Sequence, residues 1–533
     1  MPSDRLRAVW NVQMPEVREL AGLHEYDGKV QDLSPAGVAS LLSAIGRGAP
    51  EPDAHDEAQL TAVEAGVRAT FETAELHRWN PLVHVANLDL ACYDREYAPA
   101  EERAAARAAH LAAWPDAVEG AIESLDSIPA PVAVALLPAT RGLGAGLGGG
   151  FRGGLDASLG AGLEASLGAG FGGGLDAGAG PAVIDPARAA VDRLIAHLEK
   201  AAATGSPDAS LGPAKLTRLL GDPEAMTVDL GRLEEVADAE RARLRERLSQ
   251  DCDRLRPGVP TAEVVAELLR DHPDDEGIYA AARLLIEELR KFTTEHGLLP
   301  ELGGTCLVGP APESRRYAVA MMSWTGAYEA EAPAWFYVNP PDPSWDDEAK
   351  ERWRSLFSAT TLPAIAAHEV TPGHFAHGRM IRLAARGDVR RSLESSAFVE
   401  GWAHYAEELL VEEGFREEDP RFAIGVWIEA LVRVTRFAAA LGIHRGTMNV
   451  DDAATRFRED AFLEGPAAQS EANRATFDPT YGRYTWGKLE ILALRDEAIA
   501  RWGPRFSLRR FHEGLLELGA PPLGTLGDAL EPV

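Results

Sequence analysis

The stretch His368-Glu369-Val370-Thr371-Pro372-Gly373-His374 places two imidazoles and a carboxylate close together, and Glu400 follows farther along the chain. Two imidazoles and one carboxylate are a common ligand set of catalytic zinc sites, which keep a fourth position open. The carboxylate of Glu369, next to the first imidazole, suits a general base. These residues therefore predict a metal site with His368, His374 and Glu400 as ligands and Glu369 as the base.

The spacing of the two histidines predicts a break in a helix. They stand six residues apart, and six steps along a straight helix leave two side chains about 120° apart. Pro372 lacks a backbone donor and Gly373 allows unusual backbone angles, so the helix can be interrupted between the ligands. We expect helix over residues 364–370, a distortion over 371–373 and helix again from His374.

Three motifs together resemble a known family. The first is H-E-x-x-P-G-H, the second is E-G-W-A-x-Y-A-E at Glu400–Glu407, and the third is Y-x-x-G-x-x-x-I at Tyr484–Ile491. With Trp335–Asn339 as a strand before the first motif, they are similar to the DUF885 family of predicted zinc metallopeptidases. The resemblance covers roughly residues 300–500. It implies a metal-dependent hydrolase more firmly than it implies any substrate.

Two positions depart from the pattern of that family. Members often carry a second histidine directly after the first motif, where this chain has Phe375, and leucine within the second motif, where it has His404. Neither change removes an expected ligand. Both alter the surroundings of the expected metal.

The remaining sequence predicts a mainly α protein. We expect a large helical, metallopeptidase-like fold with a small β-sheet beside a deep active-site cleft, and strands at Arg315–Met322 and Trp335–Val338. Residues 1–300 are predicted to be a helical N-terminal region and residues 301–533 the catalytic region.

Residues 142–180 form a repetitive segment rich in glycine and leucine. Glycine disfavours a stable helix, so we interpret the segment as a flexible insertion within a helical hairpin. The alternative is an interaction segment that folds onto a partner or mediates assembly.

Composition excludes several classes of partner. Lys and Arg number 53 and Asp and Glu 83, for a net charge of −30, which disfavours nucleic acid or an anionic membrane. Three widely separated cysteines provide no disulfide framework. With neither a signal peptide nor a membrane span in the sequence, we expect a cytoplasmic, bacterial protein. The sequence does not predict the oligomeric state.

Tyr484 is a candidate for stabilising an oxyanion, although it could also be a packed aromatic residue, with Tyr481 as a competitor. Further candidates for substrate binding or for support of the ligands are His377, His404, Asn339, Arg474, Arg483 and Lys488.

Each of these candidates has an alternative. His377 would line the pocket or be structural, and His404 would support a ligand or be a fourth ligand. The three basic residues would hold a substrate carboxylate or be ion-paired. Asn339 would pair with a substrate backbone or end a strand.

The predicted function is hydrolysis of a peptide or peptide-like amide bond, on short substrates, with Zn²⁺ as cofactor. Other divalent ions such as Mn, Fe or Co also suit a His₂Glu site. The alternatives are a metal-dependent amide hydrolase or lyase acting on a small metabolite, and a non-catalytic metal-binding scaffold.

Overall fold

The computed structural model describes residues 2–145, 147, 180–312, 315, 319–339, 341, 345–463 and 465–530, and it is mainly helical. The helices of the N-terminal half are α1 (Asp4–Val12), α2 (Pro15–Ala21), α3 (Pro35–Ala44), α4 (Ala54–Arg68), α5 (Leu76–Trp79), α6 (Pro81–Asn87), α7 (Ala100–Ser124), α8 (Ala130–Ala145), α9 (Pro181–Thr204), α10 (Pro213–Gly221), α11 (Leu230–Leu255), α12 (Thr261–Leu269) and α13 (Asp275–Glu295).

A small sheet and further helices follow. The strands are β1 (Cys306–Gly309), β2 (Ala320–Ser323) and β3 (Ala334–Val338). The helices after them are α14 (Asp347–Ser355), α15 (Leu362–Glu369), α16 (His374–Leu383), α17 (Gly387–Ser392), α18 (Ser396–Glu412), α19 (Arg421–Arg445), α20 (Val450–Ala461), α21 (Gly465–Phe477), α22 (Arg483–Trp502) and α23 (Leu508–Leu516). The prediction of a mainly α protein with a small sheet is confirmed.

The sheet has the order β1-β3-β2, with β1 parallel and β2 antiparallel to β3. The predicted strand at Trp335–Val338 is confirmed as β3. Of the strand predicted at Arg315–Met322, only the end from Ala320 is strand; Arg315 lies outside it, and residues 316–318 are outside the described part of the chain. Strand β2 is therefore a short edge strand.

Residues on both sides of position 300 share one hydrophobic core. Leu244 of α11 and Leu289 of α13 belong to the same cluster as Phe336 of β3, Trp402 of α18 and Leu515 of α23. The three motifs lie on the C-terminal side of the division predicted at residue 300. The hydrophobic core, however, includes residues from both sides of it.

The repetitive segment lies between two helices that pack against each other, α8 and α9. Leu143 and Leu147, at its start, are buried in a second cluster with Val191 and Leu194 of α9. The expected helical hairpin is therefore present. Residue 146 and residues 148–179, which hold most of the predicted insertion, lie outside the described residues.

Candidate metal centre

The expected break between the two histidines is present. Helix α15 ends at Glu369 and α16 begins at His374. The amide of Gly373 donates to the carbonyl of Ala367, and a Cβ on Gly373 would lie 1.8 Å from the carbonyl oxygen of His368. Only glycine fits this close approach. The turn also accepts a hydrogen bond at the Pro372 carbonyl from the indole of Trp402, at 2.9 Å.

A glycine contact brings the second and third motifs together. A Cβ on Gly401 of α18 would lie 2.5 Å from the backbone of Gly487, and one on Gly487 would lie 1.8 Å from the carbonyl oxygen of Ala397. Helices α18 and α22 can therefore pack backbone to backbone only because both positions lack a side chain. Tyr484, one turn before Gly487, is thereby carried to the same cavity as Glu400.

Three side chains form a buried cluster at this junction. Nε2 of His368 lies 3.4 Å and Nε2 of His374 lies 3.6 Å from Oε2 of Glu400. Each of the three residues is 6–7% exposed, and together they offer ligand atoms within 4.8 Å of one another. The first and second motifs therefore converge as their sequences suggested.

Glu407 orients the first histidine. Its Oε1 lies 2.7 Å from Nδ1 of His368, and its Oε2 accepts a hydrogen bond from Arg433 of α19 at 3.3 Å. A carboxylate on Nδ1 holds the proton there and leaves Nε2 to face the cluster.

Neither of these two partners was identified from the sequence. The signal for Glu407 is its spacing, because seven residues after Glu400 is two helical turns on the same face. Nothing in the sequence indicated Arg433, because it lies on a different helix, α19, and meets Glu407 only through the tertiary fold.

The cluster strongly favours positive charge. Burial and the charge of Arg433 lower the pKa of His368, but the nearby carboxylates of Glu400 and Glu407 outweigh them and raise that pKa to about 10. Burial opposes ionisation of Glu400, yet the two histidines hold the pKa of its carboxyl well below the usual value. Without an ion, a proton therefore supplies the positive charge that these carboxylates require.

The residues fit a tetrahedral divalent ion. Ligand atoms about 2.0–2.1 Å from one tetrahedral ion stand roughly 3.4 Å apart. The two Nε2–Oε2 distances, 3.4 and 3.6 Å, match this edge, and both are long for hydrogen bonds. Metal binding would replace the proton on His368.

A cavity of about 480 Å³ opens beside the cluster. It is lined by His368, His374, Glu400 and the predicted base Glu369, which is 7% exposed. Much of the remaining lining is apolar and comes from the N-terminal half, with Phe71, Leu82 and Val83 among its residues. The cavity therefore joins both halves of the sequence.

Of the other predicted site residues, Tyr484 and Arg483 line the cavity. The pKa of Tyr484 is raised to about 12 by burial and by the charge of Glu400, so its phenol keeps its proton. The Tyr481 hydroxyl instead donates to Glu471 at 2.6 Å, and Tyr481 is not part of the cavity wall. Arg483 makes two hydrogen bonds to Asp478, at 2.9 and 2.8 Å.

The structure does not bring His377 or Asn339 to the cavity. His377 is fully buried and its Nε2 lies 2.9 Å from the carbonyl of Gly519. Asn339 is 1% exposed, and its side chain accepts from the Ala311 amide and donates to the Arg315 carbonyl. Their polar groups join segments of the fold, which is the structural alternative stated for both residues from the sequence.

Arg474 and Lys488 also lie away from the cavity. Arg474 is fully buried, with its guanidinium 4.3 Å from the ring centre of Tyr481. Nζ of Lys488 lies 2.5 Å from Glu240 and 3.0 Å from Glu408. Both cations make internal contacts, in line with the ion-paired alternative stated for them from the sequence.

His404 is fully buried beside the cluster without joining it. Its Nδ1 lies 3.7 Å from Oε1 of Glu407, too far for a hydrogen bond. Neither ring nitrogen has a hydrogen-bond partner among the described residues. Burial, and then the charge of Lys488, lower the pKa of His404 to about 4, so the ring is neutral.

Fold and site define a mainly helical protein whose two halves share a cavity with a buried His–His–Glu cluster at its wall. The family model that matches the chain is the one described as "Bacterial protein of unknown function (DUF885)", over residues 15–530. The chain belongs to this family. No curated protein matches its sequence.

Two solved structures share the fold. One, from Shewanella oneidensis, is described as a putative lipoprotein of unknown function; it is 19% identical, with a TM-score of 0.75 over 99% of both chains. The other, from Colwellia psychrerythraea, is described as a putative lipoprotein; it is 16% identical, with a TM-score of 0.72 over 99% of both chains. In the described part of this chain, no helix combines the length and apolar character needed to cross a membrane. The cytoplasmic location stays a prediction.

Proposed function

We propose that this protein is a metal-dependent hydrolase of peptide or peptide-like amide bonds. The observation that carries the proposal is the convergence of His368, His374 and Glu400 on one point of a cavity that Glu369 also lines. Three protein ligands leave a fourth position open for water or substrate, as in catalytic zinc sites.

Each residue has a separate part in the reaction. A divalent ion held by the three ligands would polarise the scissile carbonyl and lower the pKa of water. Glu369 takes the proton of the attacking water and passes it to the leaving amine. The neutral phenol of Tyr484 donates a hydrogen bond to the developing oxyanion. Glu407 keeps the ring of His368 in position.

The edge strand favours an extended peptide as substrate. Ala320, Met321 and Met322 of β2 line the cavity. The Asn339 amide donates to the Val319 carbonyl, so the backbone groups of Val319 face β3. Because backbone groups alternate in direction along a strand, the N–H and C=O groups of Ala320 and Met322 point away from β3. Among the described residues they have no backbone partner, and an extended substrate could pair with them.

The test compares the parent protein with Glu369→Gln. Metal content is measured by mass spectrometry, and both proteins are incubated with a mixed library of short peptides. Stoichiometric metal in both, with cleavage by the parent alone, supports the proposal. Glu25→Gln, an exposed glutamate outside the cavity wall, serves as control.

Two other outcomes favour the alternatives. Metal in both proteins without peptide cleavage favours an amide hydrolase or lyase that acts on a small metabolite, or a metal-binding scaffold. Absence of any divalent metal from both proteins, purified without chelator, overturns the proposal.

A further inference from the structure

The cavity wall carries two carboxylates that the proposed reaction does not use, Glu16 and Glu394. Glu16 lies in the first turn of α2, and Glu394 comes just before the Ser395 cap of α18. They are far apart in the sequence and reach the same cavity from opposite halves of the chain.

Neither carboxylate has a hydrogen bond or ion pair to another described residue. Two buried acids of the protein illustrate the usual pairing with a cation: Asp478 pairs with Arg483, and Glu408 with Lys488. Arg315 attracts Glu16 from a distance but is itself hydrogen-bonded to Glu19. The two carboxylates are thus held at a cavity wall with no protein cation bound to them.

Both side chains lie within electrostatic range of the candidate metal centre. Burial raises the pKa of Glu16 to about 7, and repulsion by Glu19 and Glu400 adds to this. Burial also raises the pKa of Glu394 to about 7, and here repulsion by Glu16 and Glu400 adds to it. Glu400, 7% exposed, lines the same cavity, and its Oε2, which faces the two histidines, has no hydrogen bond. A cationic ligand would reduce the repulsion among these carboxylates.

The charges of the residues that line the cavity are compatible with a cationic ligand. Arg483 is the one Arg or Lys among the described lining residues, and Asp478 neutralises it. A dication at the centre would offset Glu369 and Glu400, and the lining then offers no cation to Glu16 and Glu394, whose ionised forms a cationic ligand would stabilise. A substrate carboxylate would meet repulsion at this wall, and an ammonium group would meet attraction.

The structure assigns these two carboxylates to binding the protonated amino terminus of the substrate. The inference rests on the proposed function and names its substrate class, which is peptides with a free α-amino group. The apolar wall formed by Phe71, Leu82 and Val83 would receive an apolar first side chain. Cleavage would then begin at the amino end of the peptide.

The experiment measures binding, so it does not depend on turnover. Full-length Glu369→Gln protein, with its metal, is titrated calorimetrically with leucinamide, N-acetyl-leucinamide and N-acetyl-leucine. Leucinamide is expected to bind most tightly. Glu16→Gln or Glu394→Gln in this background should each weaken leucinamide binding by about tenfold or more, since each removes a charged partner. Glu25→Gln should leave it unchanged.

Three results would overturn the inference. N-acetyl-leucinamide or N-acetyl-leucine could bind as tightly as leucinamide. The affinity for leucinamide could be the same in Glu16→Gln, Glu394→Gln and the parent background, with circular dichroism showing that both variants are folded. Nα-acetyl-lysinamide could bind more tightly than leucinamide, in a manner that depends on Glu16. That result would show that the site binds the ammonium group of a lysine side chain.

The proposed function and this inference can fail separately. If leucinamide binds as expected but the parent cleaves no peptide, the proposed function fails and the amine site stands. If the parent cleaves N-acetylated and free peptides at equal rates, the function stands and the amine site fails.

Discussion

Oε1 of Glu407 lies 2.7 Å from Nδ1 of His368, and this pair joins the first motif to the end of the second. The carboxylate is fully buried and also accepts from Arg433. Burial opposes the charge on Glu407, but Arg433 and His368 outweigh it and hold the pKa of this carboxyl well below its ordinary value. A permanently charged acceptor thus fixes the tautomer and direction of the imidazole.

Replacing Glu407 by Gln is expected to weaken metal binding about 10- to 100-fold, as loss of such a supporting carboxylate does at other sites. Affinity is measured by competition with a fluorescent chelator. Glu412→Gln, on the same helix but paired with Arg495 at the surface, is the matched control. Equal affinities of the two variants would contradict the orienting role of Glu407.

Replacing Tyr484 by Phe is expected to lower kcat about 10²- to 10³-fold, because it removes one donor to the oxyanion. Metal content should not change, since the phenol is not a ligand. Tyr481→Phe is the comparison, because the hydroxyl of Tyr481 serves Glu471. A greater loss of kcat in Tyr481→Phe would transfer the role to that residue.

Replacing His404 by Leu is expected to raise Tm. The ring is fully buried and its nitrogens have no hydrogen-bond partner among the described residues, so an apolar side chain of similar size removes a desolvation cost of about 1–2 kcal/mol. Metal content is measured on the same samples. Loss of metal from this variant would show that His404 is a ligand after all.

Replacing Lys488 by Met is expected to destabilise the fold by about 3–5 kcal/mol, because it leaves Glu240 and Glu408 buried with less compensation. Urea unfolding midpoints provide the measurement. Lys291→Met is the control, since its exposed ion pair with Glu295 contributes at most about 0.5 kcal/mol. Similar midpoints for both variants would contradict a structural role for Lys488.

The local chemistry near the first motif could be predicted from the sequence. The break between α15 and α16 follows from the spacing of His368 and His374 and from Gly373, since a helix has a fixed angular step. A break of this kind depends on residues close together in the sequence, so it can be predicted from a single segment.

The sequence by itself determined the helical class, the family motifs and the residues that can meet at one ion. Tertiary structure alone decided that Glu407 and Arg433 support His368, that Glu16 and Glu394 enter the cavity, and that Lys488 and Asn339 do not. The reason is physical: whether a charged side chain faces a cavity or a buried partner depends on contacts between helices far apart in the chain. Those contacts exist only after the core has packed.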